Sequence, residues 1–210
     1  MNTQRPQLYL DFDDCLYNSH LLNGKVMNLM VELSGLPLED VEQAYRRSRH
    51  GGSTLEKHIA EIGLSGDQAE QIRAYRAELA SDGEQYLFDD VVGACQKLSQ
   101  VADLHLLSFG QSKNQFEKWN GVSILHPYFK SVKIVGMEGK GVVFAELSEE
   151  AKQLPTFFVD DKQRYLEDTN SQAPFVKTYQ IIRFPEKQAP IHPRVIHTLD
   201  EILAPIESSS

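Results

Sequence analysis

Apolar positions along the chain change their spacing more than once, and the changes divide it into regions. Residues 8–12, Leu-Tyr-Leu-Asp-Phe, form a short apolar run suited to a buried strand. Directly afterwards Leu22, Val26, Leu29, Met30 and Leu33 fall on one helical face, ended by Gly35 and Pro37, and Leu38, Val41 and Ala44 or Tyr45 begin a second helix. Ser53 with Glu56, and Ser65 with Gln68, have the spacing of capping boxes and predict helices over 54–62 and 66–81. Residues 18–85 therefore read as wholly helical.

From Leu87 onward helical stretches alternate with short apolar ones. Helices are predicted over 89–100, 112–120 and 141–152, and strands over 103–108, 131–135, 156–161 and 177–184. Apolar strands separated by helices predict a mostly parallel sheet with helices on both faces, and the opening strand belongs with it. The expected fold is α/β, with a Rossmann-like core from residues 1–17 and 86–210 and an all-α module inserted at 18–85. No internal repeat interrupts this order.

Composition narrows the partners. With 41% hydrophobic and 24% charged residues among 210, the chain is ordinary globular protein and long enough for one core with a sizeable insertion. Its formal net charge of -9 comes with no basic stripe, which argues against nucleic acid or an anionic membrane as partner. A small anionic substrate would then need a local cationic site. Cys15 and Cys95 are far apart and outside any CxxC spacing, so neither a disulfide framework nor a zinc site is indicated. The first residues carry no apolar leader segment, and no apolar run reaches about 18 residues, so a cytoplasmic protein without membrane spans is expected.

Candidate chemistry lies where the predicted strands end, the usual place of the ligand crevice in an open α/β sheet. The first ends in Asp11 and Asp13, the second in Ser108, and the strand at 156–161 in Asp160 and Asp161, while Lys140 opens the helix before that last strand. Carboxylates crowded this closely repel one another, and burial penalises each further, so a cation is called for. Magnesium suits them, because it takes one or two carboxylates together with water and a phosphate oxygen. An aspartate can attack phosphorus to give an aspartyl-phosphate, and a carboxyl two residues on can protonate the leaving oxygen and later deprotonate water. Ser108 and Lys140 would bind the phosphoryl oxygens. Lys113, Lys130 and Lys133 are rivals for the lysine role, Asp14 reads as a cap or surface acid, and Asp161 either binds metal, directly or through water, or caps the following helix.

In this order the residues resemble the phosphatase branch of the haloacid dehalogenase superfamily. Its first motif is matched by residues 8–16 with Asp11 and Asp13, its second by Ser108, its third by Lys140 and its fourth by the strand ending in Asp160 and Asp161. The resemblance implies Asp11 as nucleophile, Asp13 as acid/base, Mg2+ bound by Asp11, Asp13, Asp160 and Asp161, and the 18–85 insertion as a helical cap. Cys15 stands where the family usually has threonine or valine, and Asp13 favours phosphate-ester over carbon–halogen cleavage. The implied function is hydrolysis of a small phosphorylated metabolite, and the first motif also has some likeness to pyrimidine nucleotidases. A phospho-receiver domain would carry its lysine after the acidic and hydroxyl positions, whereas Lys140 precedes Asp160; a non-catalytic ligand-binding descendant would be expected to lack a motif residue. For substrate selection the candidates are Arg49 and His50, beside Arg46 and before Gly51 and Gly52, although the pattern of the group is first of all that of an ordinary basic helix end.

Overall fold

The computed structural model describes residues 5–48, 55–136 and 138–209. In chain order the strands are β1 (Gln7–Leu10), β2 (Asp103–Phe109), β3 (Phe129–Val135), β4 (Thr156–Asp160), β5 (Lys177–Ile181) and β6 (Val195–Ile196). The helices are α1 (Ser19–Ser34), α2 (Leu38–Ser48), α3 (Leu55–Glu61), α4 (Gly66–Ser81), α5 (Val91–Val101), α6 (Ser112–Asn120), α7 (Gly141–Ala145), α8 (Glu149–Lys152), α9 (Gln163–Gln172) and α10 (Leu203–Glu207). Short 3-10 turns supplement them. The strands form one six-stranded sheet in the order β3-β2-β1-β4-β5-β6, and every pairing is parallel. Two compact units result: residues 1–18, 87–115 and 123–210 form the α/β unit, and residues 19–86 and 116–122 form the helical one.

Alternation along the strands decides the two faces of the sheet. Leu8 stands opposite Leu104 and Phe157, and Leu10 opposite Leu106 and Val159, so these fully buried apolar residues share one face. Tyr9, Leu107 and Phe158 occupy the other, where they meet Val143 and Phe144 of α7 and Tyr165 and Leu166 of α9. The chain runs outward from β1 to β3 and then returns past β1 to β4, β5 and β6. Right-handed crossovers in opposite directions place their helices on opposite faces, which accounts for the cover of α5 on one side and α7 with α9 on the other. Each large apolar side chain buried in these layers contributes about 1.5–3 kcal/mol.

Several local expectations change on folding. The helix predicted over 141–152 is two, because Ser148 accepts a hydrogen bond at its Oγ from the Ala151 amide at 3.2 Å and so caps a separate α8. Helix α4 does begin after Ser65, but the Ser65 side chain makes no capping bond, and Gln68 Nε2 donates instead to the Leu33 carbonyl at 2.7 Å near the end of α1. Ser53 of the other predicted box lies outside the described residues. Among the described residues a capping box pairs Thr198 with Glu201.

Residues 116–122, expected in the α/β core, group with the helical unit. There Glu117 pairs with Arg76 of α4 at 3.2 Å, and the Gly121 backbone lies so close to the end of α4 that a Cβ would meet the Ala80 carbonyl oxygen at 1.8 Å. Only glycine fits that approach. In the same unit His58 is buried, its Nε2 bonds the Val41 carbonyl at 3.0 Å, and its ring lies 5.4 Å from that of Tyr45. Burial holds its pKa below the ordinary 6.5, so the folded form resists protonation. At this site the unfolded form therefore binds more protons below pH 6.5, and the contribution of His58 to stability is lost as the pH drops below that value. His58→Gln is expected to flatten this acid-side loss, read as the slope of unfolding free energy against pH from urea titrations; equal slopes would remove His58 as its source.

Candidate active site

Strand β1 ends at Leu10, and Asp11 continues its ladder by donating its amide to the Val159 carbonyl at 2.9 Å. The chain then turns tightly. The Phe12 carbonyl accepts from the amides of Leu16 and Tyr17, both at 3.0 Å, and the Asp14 amide donates to the Tyr17 carbonyl at 2.7 Å. Asp14 adopts φ of 61°, a left-handed conformation that a short polar side chain such as aspartate tolerates better than most. This turn leaves Asp11 only 3% exposed and Asp13 half-buried.

Asp160 ends the neighbouring strand β4, and Lys140 precedes α7. Its ammonium lies 2.5 Å from Asp11 Oδ1 and 2.6 Å from Asp160 Oδ2, with the lysine itself 0% exposed. The other oxygen of Asp160 accepts from the Lys162 amide at 2.8 Å. Lys140 is held at its post by the next residue, since the Gly141 amide donates to Asp168 Oδ2 of α9 at 2.8 Å. Lys113, Lys130 and Lys133 are exposed, and among these lysines it is Lys140 that contacts Asp11 and Asp160. Ser108 is 1% exposed in β2, and its Oγ has no hydrogen-bond partner among the described residues. A buried hydroxyl without a partner is unusual, and a phosphoryl oxygen would complete it.

Asp161 does not cap α9. Its carboxylate accepts from the Lys162 ammonium at 3.0 Å and from Gln188 Nε2 at 3.4 Å. Oxygen atoms of Asp11, Asp160 and Asp161 all lie within 4.8 Å of one another, whereas Asp13 stands outside that group and accepts from Gln115 Nε2 at 2.6 Å. Three buried carboxylates converging in this way could hold a hard divalent cation. Arg49 and His50 lie outside the described residues.

The electrostatics follow from burial. Loss of water pushes the Asp11 carboxyl up to about 6, and Asp160 adds to the effect while Lys140 and Lys162 oppose it. Asp161 is likewise pushed up to about 6, first by burial and then by Asp11 and Asp14, against the pull of Lys162. Asp160 is raised by burial and by Asp161. Burial disfavours the charged form of Lys140, but Asp11 and Asp160 outweigh it and keep its pKa above the ordinary lysine value. The carboxylates are thus undercompensated, and an additional cation would relieve them.

Four contributors escape a reading of sequence pattern. Lys162 brings a second ammonium to the cluster, Gln115 holds Asp13, and Gln188 reaches Asp161. Arg183, past the end of β5, donates from Nε to the Cys15 carbonyl at 2.9 Å and from its Nη1 to Asp90 at 2.8 Å, bracing the turn that follows Asp11. A lysine beside the acidic pair was the one visible signal among them.

No family model and no curated protein matches the chain. Solved structures do. A candidate β-phosphoglucomutase of Thermotoga maritima matches with a TM-score of 0.72 at 16% identity, over 98% of this chain and 100% of that one. A candidate haloacid dehalogenase-like hydrolase of Burkholderia xenovorans LB400 matches at 0.71 and 14% identity, over 95% and 98%. The candidate hydrolase YfnB of Bacillus subtilis, crystallised with magnesium, matches at 0.68 and 18% identity, over 97% and 99%. With its parallel sheet in this strand order and likeness extending over nearly the whole length, the chain has the fold of the haloacid dehalogenase-like hydrolases.

Proposed function

We propose that this protein is a magnesium-dependent phosphomonoester hydrolase of the haloacid dehalogenase superfamily, acting on a small phosphorylated metabolite through an aspartyl-phosphate on Asp11. The observation that carries the reading is the buried Lys140 ammonium bridging Asp11 and Asp160, next to a third carboxylate, at the carboxyl ends of two adjacent central strands. The likeness to a candidate phosphoglucomutase and to a hydrolase crystallised with magnesium supports it.

In this reading an Asp11 oxygen attacks phosphorus, an O–P bond forms, and the ester P–O bond breaks. Asp13 gives its proton to the leaving oxygen. Asp13 then takes a proton from water as that water attacks the phospho-aspartate, releasing inorganic phosphate and restoring Asp11. Ser108 donates its hydroxyl to a phosphoryl oxygen, and Lys140 keeps Asp11 oriented and shares the negative charge. A divalent cation held by Asp11, Asp160 and Asp161 would supply further charge neutralisation on the phosphoryl group.

The protein is expected to hydrolyse p-nitrophenyl phosphate with magnesium present and to lose that turnover in excess chelator. Turnover that survives chelation would count against the metal. A panel of phosphomonoesters, assayed under the same conditions, then ranks the leaving groups that the enzyme accepts.

A further inference from the structure

Asp13 belongs to a tight turn, and the residue is half-buried. Gln115, in α6, reaches its carboxyl. Its Nε2 donates to Asp13 Oδ2 at 2.6 Å and to the Phe109 carbonyl at 2.9 Å. Both hydrogens of the amide are thereby directed at oxygens, and a flipped amide would set oxygen against oxygen at both, so the orientation is forced. One amide group links Asp13 to the strand end that carries Ser108.

Two further features mark this arrangement as built. Gln115 is 6% exposed, and its Oε1 is buried without a partner among the described residues. An apolar side chain of the same size would avoid burying that oxygen, so the amide is explained by what its nitrogen does. Gly110 makes the room: it adopts φ of 150°, and a Cβ there would lie 2.9 Å from Gln115 Nε2 and 3.2 Å from its Cγ. The sharp turn after β2 and the seat of the amide are therefore the same feature.

We propose that Gln115 is a positioning residue for proton transfer, holding the Asp13 carboxyl where it meets the leaving oxygen; the proposal rests on the phosphatase reading above. A general acid must lie within hydrogen-bond reach of the oxygen it protonates, and a carboxyl that swings loses that geometry. Gln115 touches Asp13 and not the reacting atoms, so its effect should depend on how much the leaving group needs a proton.

The test compares kcat/KM for phenyl phosphate and p-nitrophenyl phosphate, whose leaving phenolates differ in basicity and little in shape. Gln115→Met, which keeps the length and removes the donor, is expected to lower the phenyl to p-nitrophenyl ratio by about tenfold, as is Asp13→Asn. The double variant should show no more than Asp13→Asn alone, because a residue acting through Asp13 has nothing left to position. Gln115→Leu, smaller and likewise without a donor, serves where the methionine variant does not fold. If Asp13→Asn lowers the ratio and the Gln115 variants do not, or if the two effects add, the positioning role is wrong and the phosphatase reading stands. If Asp13→Asn leaves the ratio unchanged, the assignment of Asp13 as acid falls, and the role of Gln115 falls with it.

Discussion

Asp11→Asn is expected to lower kcat/KM for p-nitrophenyl phosphate by roughly 10,000-fold or more, the scale on which losing a covalent nucleophile acts. The amide keeps the shape of the carboxylate, and its oxygen can still accept from Lys140, which in the wild type lies 2.5 Å from Asp11 and 2.6 Å from Asp160. Removing one of three converging buried acids also relieves repulsion, so the variant should fold at least as well as the parent. Acid-quenched enzyme exposed to labelled substrate should carry phosphate in the wild type and none in the variant. Equal labelling of the two would assign the nucleophile to another residue.

Lys140→Met should act on stability as well as on turnover. It leaves Asp11 and Asp160 buried, 3% and 0% exposed, without the ammonium that bridges them. Breaking a buried ion pair by deleting one partner typically destabilises by roughly 3–5 kcal/mol, because the remaining charge has no compensation. Urea unfolding in chelator is expected to show a loss of this order, and millimolar magnesium should recover part of it by binding the folded carboxylates. A variant as stable as wild type in chelator would mean that the bridge contributes no net stability.

The fold and the site were legible to different depths, and locality explains the difference. Asp11, Ser108 and Asp160 each terminate an apolar run, and Lys140 opens a helix, so each announces itself within a few residues of sequence. Alternation of strands and helices predicts the parallel sheet that carries them, whereas the strand order that brings them together is seen only in the structure. Gln115 was invisible because it is one polar residue in an ordinary surface-type helix pattern, and its partner Asp13 lies 102 positions away. Gln188 and Arg183 are similar, since their contacts are set by the path of the chain after β5. Strand β6 is only two residues long and too brief for any periodicity to register. The break between α7 and α8 turned on one serine whose preference for capping outweighed the apolar spacing around it.

The membership of residues 116–122 bears on how such a protein can be recombined. A module encoded by a single contiguous stretch can be exchanged between relatives as a cassette, but here the chain enters the helical unit twice, once over 19–86 and again over 116–122. A chimera cut at residues 18 and 87 would carry α4 into a host whose second segment had not been shaped to receive it. Any residue but glycine at the position of Gly121 would drive a side chain into the Ala80 carbonyl, so the transplanted helices would fail to close on their partner unless both pieces moved together.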